Sequence, residues 1–124
     1  MESKLIIFDG ALVSQYMNKE KLLCAIERSL VLFSLRDDGG VSQPVRARIA
    51  IPEVKGTFFS MPAYSAKDQA IAVKLLSVNE NNTSIGLPRA QGTISLFDSC
   101  TGIGLLGFIP VEYEMNRLPQ IDIE

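Results

Sequence analysis

The chain has 124 residues, enough for one domain with a modest core. Apolar residues make up 47% and charged residues 21%, a balance that excludes an intrinsically disordered chain. The net charge of −2 gives no basis for a polyanionic partner, so neither nucleic acid nor an anionic membrane is expected.

The apolar run Leu5 to Phe8 predicts a short edge strand, and Asp9-Gly10 opens a short helix-like segment to about Met17. Asn18 is the predicted N-cap of one long helix from about Lys19 to Leu35, with Glu20 in the first turn, where the helix dipole favours an acid. Behind it Leu22, Ile26, Leu30 and Phe33 recur at helical spacing and define one apolar face. The stretch Arg36-Asp37-Asp38-Gly39-Gly40 ends the helix.

The pattern then switches to period two. In "VRARIAI", Val45, Ala47, Ile49 and Ile51 share one face, while Arg46, Arg48 and Ala50 share the other. Gly56 to Met61 is a second strand, stopped by Pro62, and Tyr64 to Asp68 is a turn. Ile71 to Val78 is a third strand, "NENNTSIGLP" an exposed loop, and Ala90 to Phe97 a fourth strand. After a turn from Asp98 to Gly102, Ile103 to Ile109 is apolar enough for a fifth. Short strands with short connections after one long helix predict an α+β domain over residues 1–109 with a mostly antiparallel sheet. The tail, 110–124, has two prolines and no clean period, and is expected to be extended or disordered.

Histidine is absent, which removes the usual zinc ligand and any Ser-His or Cys-His catalytic pair; no metal is expected. Cys24 and Cys100 are too few for a disulfide framework and fit a reducing compartment. The start, "MESKLIIFDG", has no apolar run of signal-peptide length, so a cytoplasmic location is expected. The middle of the chain is basic. Arg46, Arg48, Lys55, Lys67, Lys74 and Arg89 face only Glu53, Asp68 and Glu80 between Gly39 and Phe97, which favours a small anionic ligand. "GIGLLG", Gly102 to Gly107, matches the spacing of a dinucleotide fingerprint, but Pro110 follows three residues later. A phosphate cradle needs a helix opening at the third glycine and an acid about 20 residues on, so a glycine-rich hairpin is the better expectation.

The cation with the strongest chemical interest is Lys74, in the middle of "IAVKLLSV". It shares a strand face with Ala72, Leu76 and Val78, and no acid lies within five residues of it. A desolvated ammonium is a source of general acids, general bases and Schiff-base nucleophiles, and the small Ala70 and Ala72 leave room beside it. A solvated lysine snorkelling past its neighbours is the simpler reading of the residues alone. Phe58, Phe59 and Tyr64 are candidate pocket walls, though core packing explains them more simply.

The blocks "GGVSQPVRARIAIP", "SMPAYSAKDQAIAVKLLSV" and "GLPRAQGTISLFDSCTG" resemble consecutive segments of the ornithine cyclodeaminase/mu-crystallin family. Within that family, "GGVSQPVR" and "MPAYSA" are most similar to its ketimine reductases. The resemblance is strong from Gly39 to Gly102 and implies the substrate-binding and dimerisation domain of an NAD(P)H-dependent ketimine reductase. It implies that Arg46 binds a substrate carboxylate, that Lys74 lies beside the carbon–nitrogen double bond as the catalytic proton-transfer group, and that Arg89, Ala90 and Gln91 lie near the nicotinamide half of the cofactor. The implied ligands are a cyclic imine bearing a carboxylate or, in a non-catalytic module, thyroid hormone; the implied partner is a second copy of the chain. Family members continue past "TG" into a complete Rossmann domain, and "TGIGLLGFIPVEYEMNRLPQIDIE" departs from that pattern. The expectation is a truncated form without a cofactor domain and without activity of its own.

Overall fold

A computed structural model describes residues 6–108. The expectations for Leu5, for Ile109 and for the tail 110–124 lie outside the described residues. Strand β1 (Ile6–Phe8) is followed by helix α1 (Gly10–Tyr16) and helix α2 (Lys19–Ser34). Both helices begin at side-chain caps, of which Asn18 is the one predicted from sequence. The Asp9 carboxylate accepts from the Leu12 N–H at 2.9 Å, and the Asn18 side chain accepts from the Lys21 N–H at 3.0 Å. The described residues thus carry two α-helices, the expected long one preceded by the short segment from Gly10, and several 3₁₀ turns.

The remaining strands are β2 (Val41–Ser42), β3 (Ala47–Ile51), β4 (Gly56–Ser65), β5 (Ala70–Asn79), β6 (Ala90–Asp98) and β7 (Gly104–Phe108). They form one sheet in the order β1-β7-β6-β5-β4-β2, with β3 also paired to the outer edge of β4. All pairings are antiparallel except one: β1 lies parallel to β7. The sheet is thus mostly antiparallel, as expected, and mixed at one edge. The helices carry the chain from β1 to the opposite edge, and β7 returns alongside β1.

The predicted stop at Pro62 is wrong, and the register explains why. β4 continues through Pro62 to Ser65, pairing residue by residue with β5. On its other edge, β2 pairs as far as Ser42↔Tyr64 and β3 resumes at Ala47↔Ser60. Gln43, Pro44, Val45 and Arg46 therefore oppose only Met61, Pro62 and Ala63. This is a bulge of one extra residue. Pro62 sits opposite the bulge, where the outer edge has no registered partner, one of the sites where a strand tolerates a missing N–H. The same bulge delays the strand predicted from Val45 until Ala47 and leaves the Val45 side chain 95% exposed.

Packing between helix and sheet is slight. The face Leu22, Ile26, Leu30 and Phe33 is exposed, and Leu32, with 6% exposure, is the buried hydrophobic residue among those described. α2 comes closest to β2 and to the 3₁₀ turn Arg36–Gly39, at its own C-terminal end. Gly39 makes that approach possible. A Cβ there would stand 1.9 Å from the Leu32 carbonyl oxygen. Among the described residues no helix is long and apolar enough to cross a membrane.

Candidate functional site

Lys74 sits at the centre of β5, half-buried, in a cross-strand row with Met61 of β4 and Ile94 of β6. Directly opposed residues of antiparallel strands point to the same face. Arg48, opposite Phe59, extends that face onto β3, with Phe59 opposite Leu76 and Leu76 opposite Gly92. Arg46 immediately precedes the first ladder pair of β3, Ala47↔Ser60, at the end of the bulge. Alternation extended back from Arg48 would give Arg46 the face of Lys74, but Arg46 itself lies in the bulge outside β3. The backbones of β3 and β5 are two strand spacings apart, roughly 10 Å. Two long cationic side chains can converge across that distance over Met61. The walls beside them, Phe59, Met61, Leu76 and Ile94, are apolar or thioether groups.

On the same face, one turn of pleat beyond Lys74, lies a cavity of about 380 Å³. Its floor includes Ala63, Ala70 and Ala72; its walls include Leu30 and Leu32 of α2 and Gln43 of the bulge. Ala70 and Ala72 line this space with small side chains, but Lys74, beside which room was expected, does not line it. Tyr64 lines it, whereas Phe58 and Phe59 do not. At its rim the Asp68 carboxylate accepts from Arg28 of α2 and from the Ser65 hydroxyl, the latter at 2.6 Å. The Arg28 guanidinium, followed by the Ser65 hydroxyl, holds the Asp68 carboxyl below its usual value of 3.8. This cluster was not found from sequence. Ser65 and Asp68 are close along the chain, but Arg28 is 40 residues away and carries no local signal.

Arg89, Ala90 and Gln91 lie elsewhere. Ala90 pairs with Val78 at the far end of β5, four residues from Lys74, about 13 Å along the strand. Gln91 opposes Ser77 and so takes the other face of the sheet. Arg89 pairs with Glu80 across the loop at 3.0 Å, with both side chains about half exposed. These three residues thus stand at the far end of β5 from Lys74, while Arg46 lies just outside the ladder of β3.

"GIGLLG" occupies the β6–β7 turn and strand β7, with no helix at Gly107. Among the described residues no glycine-rich strand-to-helix turn offers a phosphate cradle, so these residues do not fit a dinucleotide by themselves. No group of three or more Cys, Asp or Glu residues among them is placed to hold a metal.

A model of the ornithine cyclodeaminase/mu-crystallin family matches residues 8–108. The chain belongs to this family. Ketimine reductase mu-crystallin of Mus musculus is 35% identical over 91 residues, which is 73% of this chain and 29% of the mouse protein. The Rattus norvegicus protein is likewise 35% identical over the same share of each chain. The chain thus spans less than a third of the curated relatives that it matches. Among solved structures, Thermococcus litoralis Delta(1)-pyrroline-2-carboxylate reductase, in complex with NADH and L-proline, superposes with a TM-score of 0.78 at 24% identity, over 86% of this chain and 32% of that one. The iminosuccinate reductase of Paracoccus denitrificans, in complex with NAD+, gives 0.74 at 19% identity, over 85% and 32%. At these identities the superpositions establish the fold. This ornithine cyclodeaminase/mu-crystallin chain therefore shares its sheet and helices with enzymes solved with bound NAD(H).

Proposed function

We propose that the chain supplies the substrate-holding face of an NAD(P)-dependent imine reductase, with Arg46 and Lys74 as its two polar anchors. The reading is supported by the register, which sets Met61, Lys74 and Ile94 in one row, with Arg46 immediately before the first ladder pair of β3. A planar guanidinium with parallel N–H donors suits a carboxylate. An ammonium beside an imine nitrogen donates a hydrogen bond to it, or a proton, and makes the adjacent carbon more electrophilic as the bond is reduced. The apolar walls shield the half-buried Lys74 ammonium in part and strengthen its contacts, while Arg46 is exposed. The substrate class is a cyclic imine bearing a carboxylate. Family membership and the 35% identity to ketimine reductase mu-crystallin support it.

The nicotinamide cofactor supplies the hydride in enzymes of this kind. Arg89, Ala90 and Gln91 remain the proposed contacts to it, but their distance from Lys74 means that no step is assigned to them. Hydride transfer depends on holding donor and imine at near-attack distance. The 124-residue chain alone is accordingly proposed to bind substrate without turning it over. Two copies are proposed to pair, which the exposed apolar side chains of Val45 and Ile49 on the outer edge support.

Equilibrium binding of Delta(1)-pyrroline-2-carboxylate to the 124-residue chain tests the proposal. Arg46→Ala is expected to weaken binding about tenfold or more, the worth of a hydrogen bond to a charged group. Lys74→Ala is expected to weaken it as well, while Arg89→Ala leaves it unchanged. Equal affinity in the wild type, Arg46→Ala and Lys74→Ala would sink the assignment.

A further inference from the structure

We infer that α2 is a hinged wall over the cavity, latched shut by the Arg28–Asp68–Ser65 cluster. The helix has few other ties. Leu32 is its buried residue, and Leu30 and Phe33, which line the cavity with it, are more than half exposed. Its C-terminal end is anchored. Gly39 packs against the Leu32 carbonyl, and the Ala66 N–H donates to the Gly40 carbonyl at 2.8 Å. The backbone between α2 and β2 has the features of a hinge: Arg36 and Gly40 both lie in the left-handed region, at φ 52° and 67°. The latch stands two turns of helix before that anchor, where Arg28 reaches Asp68. Asp68 and Ala66 belong to the same β4–β5 turn, so one turn holds both hinge and latch.

An exposed ion pair contributes little to global stability, but it shifts a local equilibrium when few other contacts oppose opening. Opening exposes the cavity floor at Ala63 and Ala72, two residues from Lys74 on the same face. The latch therefore sets access to that floor, and this holds whether or not Arg46 and Lys74 bind an imine.

The test reads the floor directly. In a chain carrying Cys24→Ser and Cys100→Ser, a thiol is introduced by Ala72→Cys, and its reaction rate with a bulky maleimide is measured. A second reporter, Thr93→Cys, opposes Leu75 and lies on the other face of the sheet. Arg28→Gln or Asp68→Asn is expected to speed labelling at position 72 roughly threefold, with no change at position 93. The double variant is expected to label no faster than either single one. The charge-exchanged pair, Arg28→Asp with Asp68→Arg, is expected to restore much of the slow rate. Unchanged labelling at position 72 would overturn the inference, and so would an equal rise at both reporters, which reports general loosening.

Discussion

Replacing Gly39 by alanine strikes the point where α2 meets the rest of the domain. The added Cβ would lie 1.9 Å from the Leu32 carbonyl oxygen and 2.8 Å from its carbon. Contacts of a real Cβ below 3.0 Å are essentially never seen, so helix and turn must separate by at least 3.0 − 1.9 = 1.1 Å. The obstacle is backbone and has no rotamer to change. Separation also lifts Leu32 from its site, the residue that is 6% exposed. Overpacking of this kind costs about 1–3 kcal/mol. For a domain of this size that lowers Tm by about 4 °C per kcal/mol, or roughly 4–12 °C. Gly86→Ala is the comparison. It places alanine at φ 75°, but nothing lies within 4 Å of its Cβ, so it carries left-handed strain alone, about 1 kcal/mol. Thermal melts followed by circular dichroism decide between them. A Gly39→Ala melt no lower than that of Gly86→Ala would refute the steric reasoning and place the helix elsewhere.

The Asp68 latch makes stability depend on pH in one direction. Its folded pKa lies below 3.8, so its contribution is complete above that value and is lost as pH falls through the folded pKa. Both partners are exposed, so the contribution is at most about 1 kcal/mol; urea midpoints of wild type and Asp68→Asn should differ at pH 7 and converge below pH 3.8. A gap that widens in acid would reverse the sign of this linkage. Asp98 organises the β6–β7 turn by accepting from the Cys100 and Thr101 N–H groups at 2.7 and 3.0 Å. Those bonds lower its pKa, so Asp98→Ala should speed amide exchange at residues 100 and 101 near neutral pH while leaving the middle of β5 unchanged. Protection that survives the substitution would mean that backbone geometry alone holds the turn.

Local signals carried much of this fold into the sequence. Asn18 was legible as a cap because a side-chain oxygen before a helical pattern has one obvious donor to meet. β5 and β6 were legible because apolar runs between turn formers have few alternatives. "GIGLLG" was legible as a hairpin because a phosphate cradle needs a following helix that Pro110 forbids. Pro62 misled because its cost depends on whether a partner strand lies on its open side, which only the register of β2 and β3 reveals. The face of Leu22, Ile26, Leu30 and Phe33 misled for a related reason. Periodicity says which residues share a face, but not whether anything is laid against it. Arg46 and Lys74 are 28 positions apart, and Arg46 lies in a bulge whose extra residue no local pattern announces. Arg28 and Asp68, 40 positions apart, meet where α2 passes the β4–β5 turn, a packing that no local pattern announces either.

The most direct test is an amide NMR titration of the 124-residue chain with Delta(1)-pyrroline-2-carboxylate. Saturable shifts are expected at Met61, Lys74 and Ile94, the row across β4, β5 and β6, and at Arg46 just before β3, and Arg46→Ala is expected to move their midpoint to about tenfold higher ligand concentration or beyond. Shifts confined to Arg89, Gln91 and the loop before them, or shifts that persist unchanged in Arg46→Ala, would contradict the claim that this row holds the substrate.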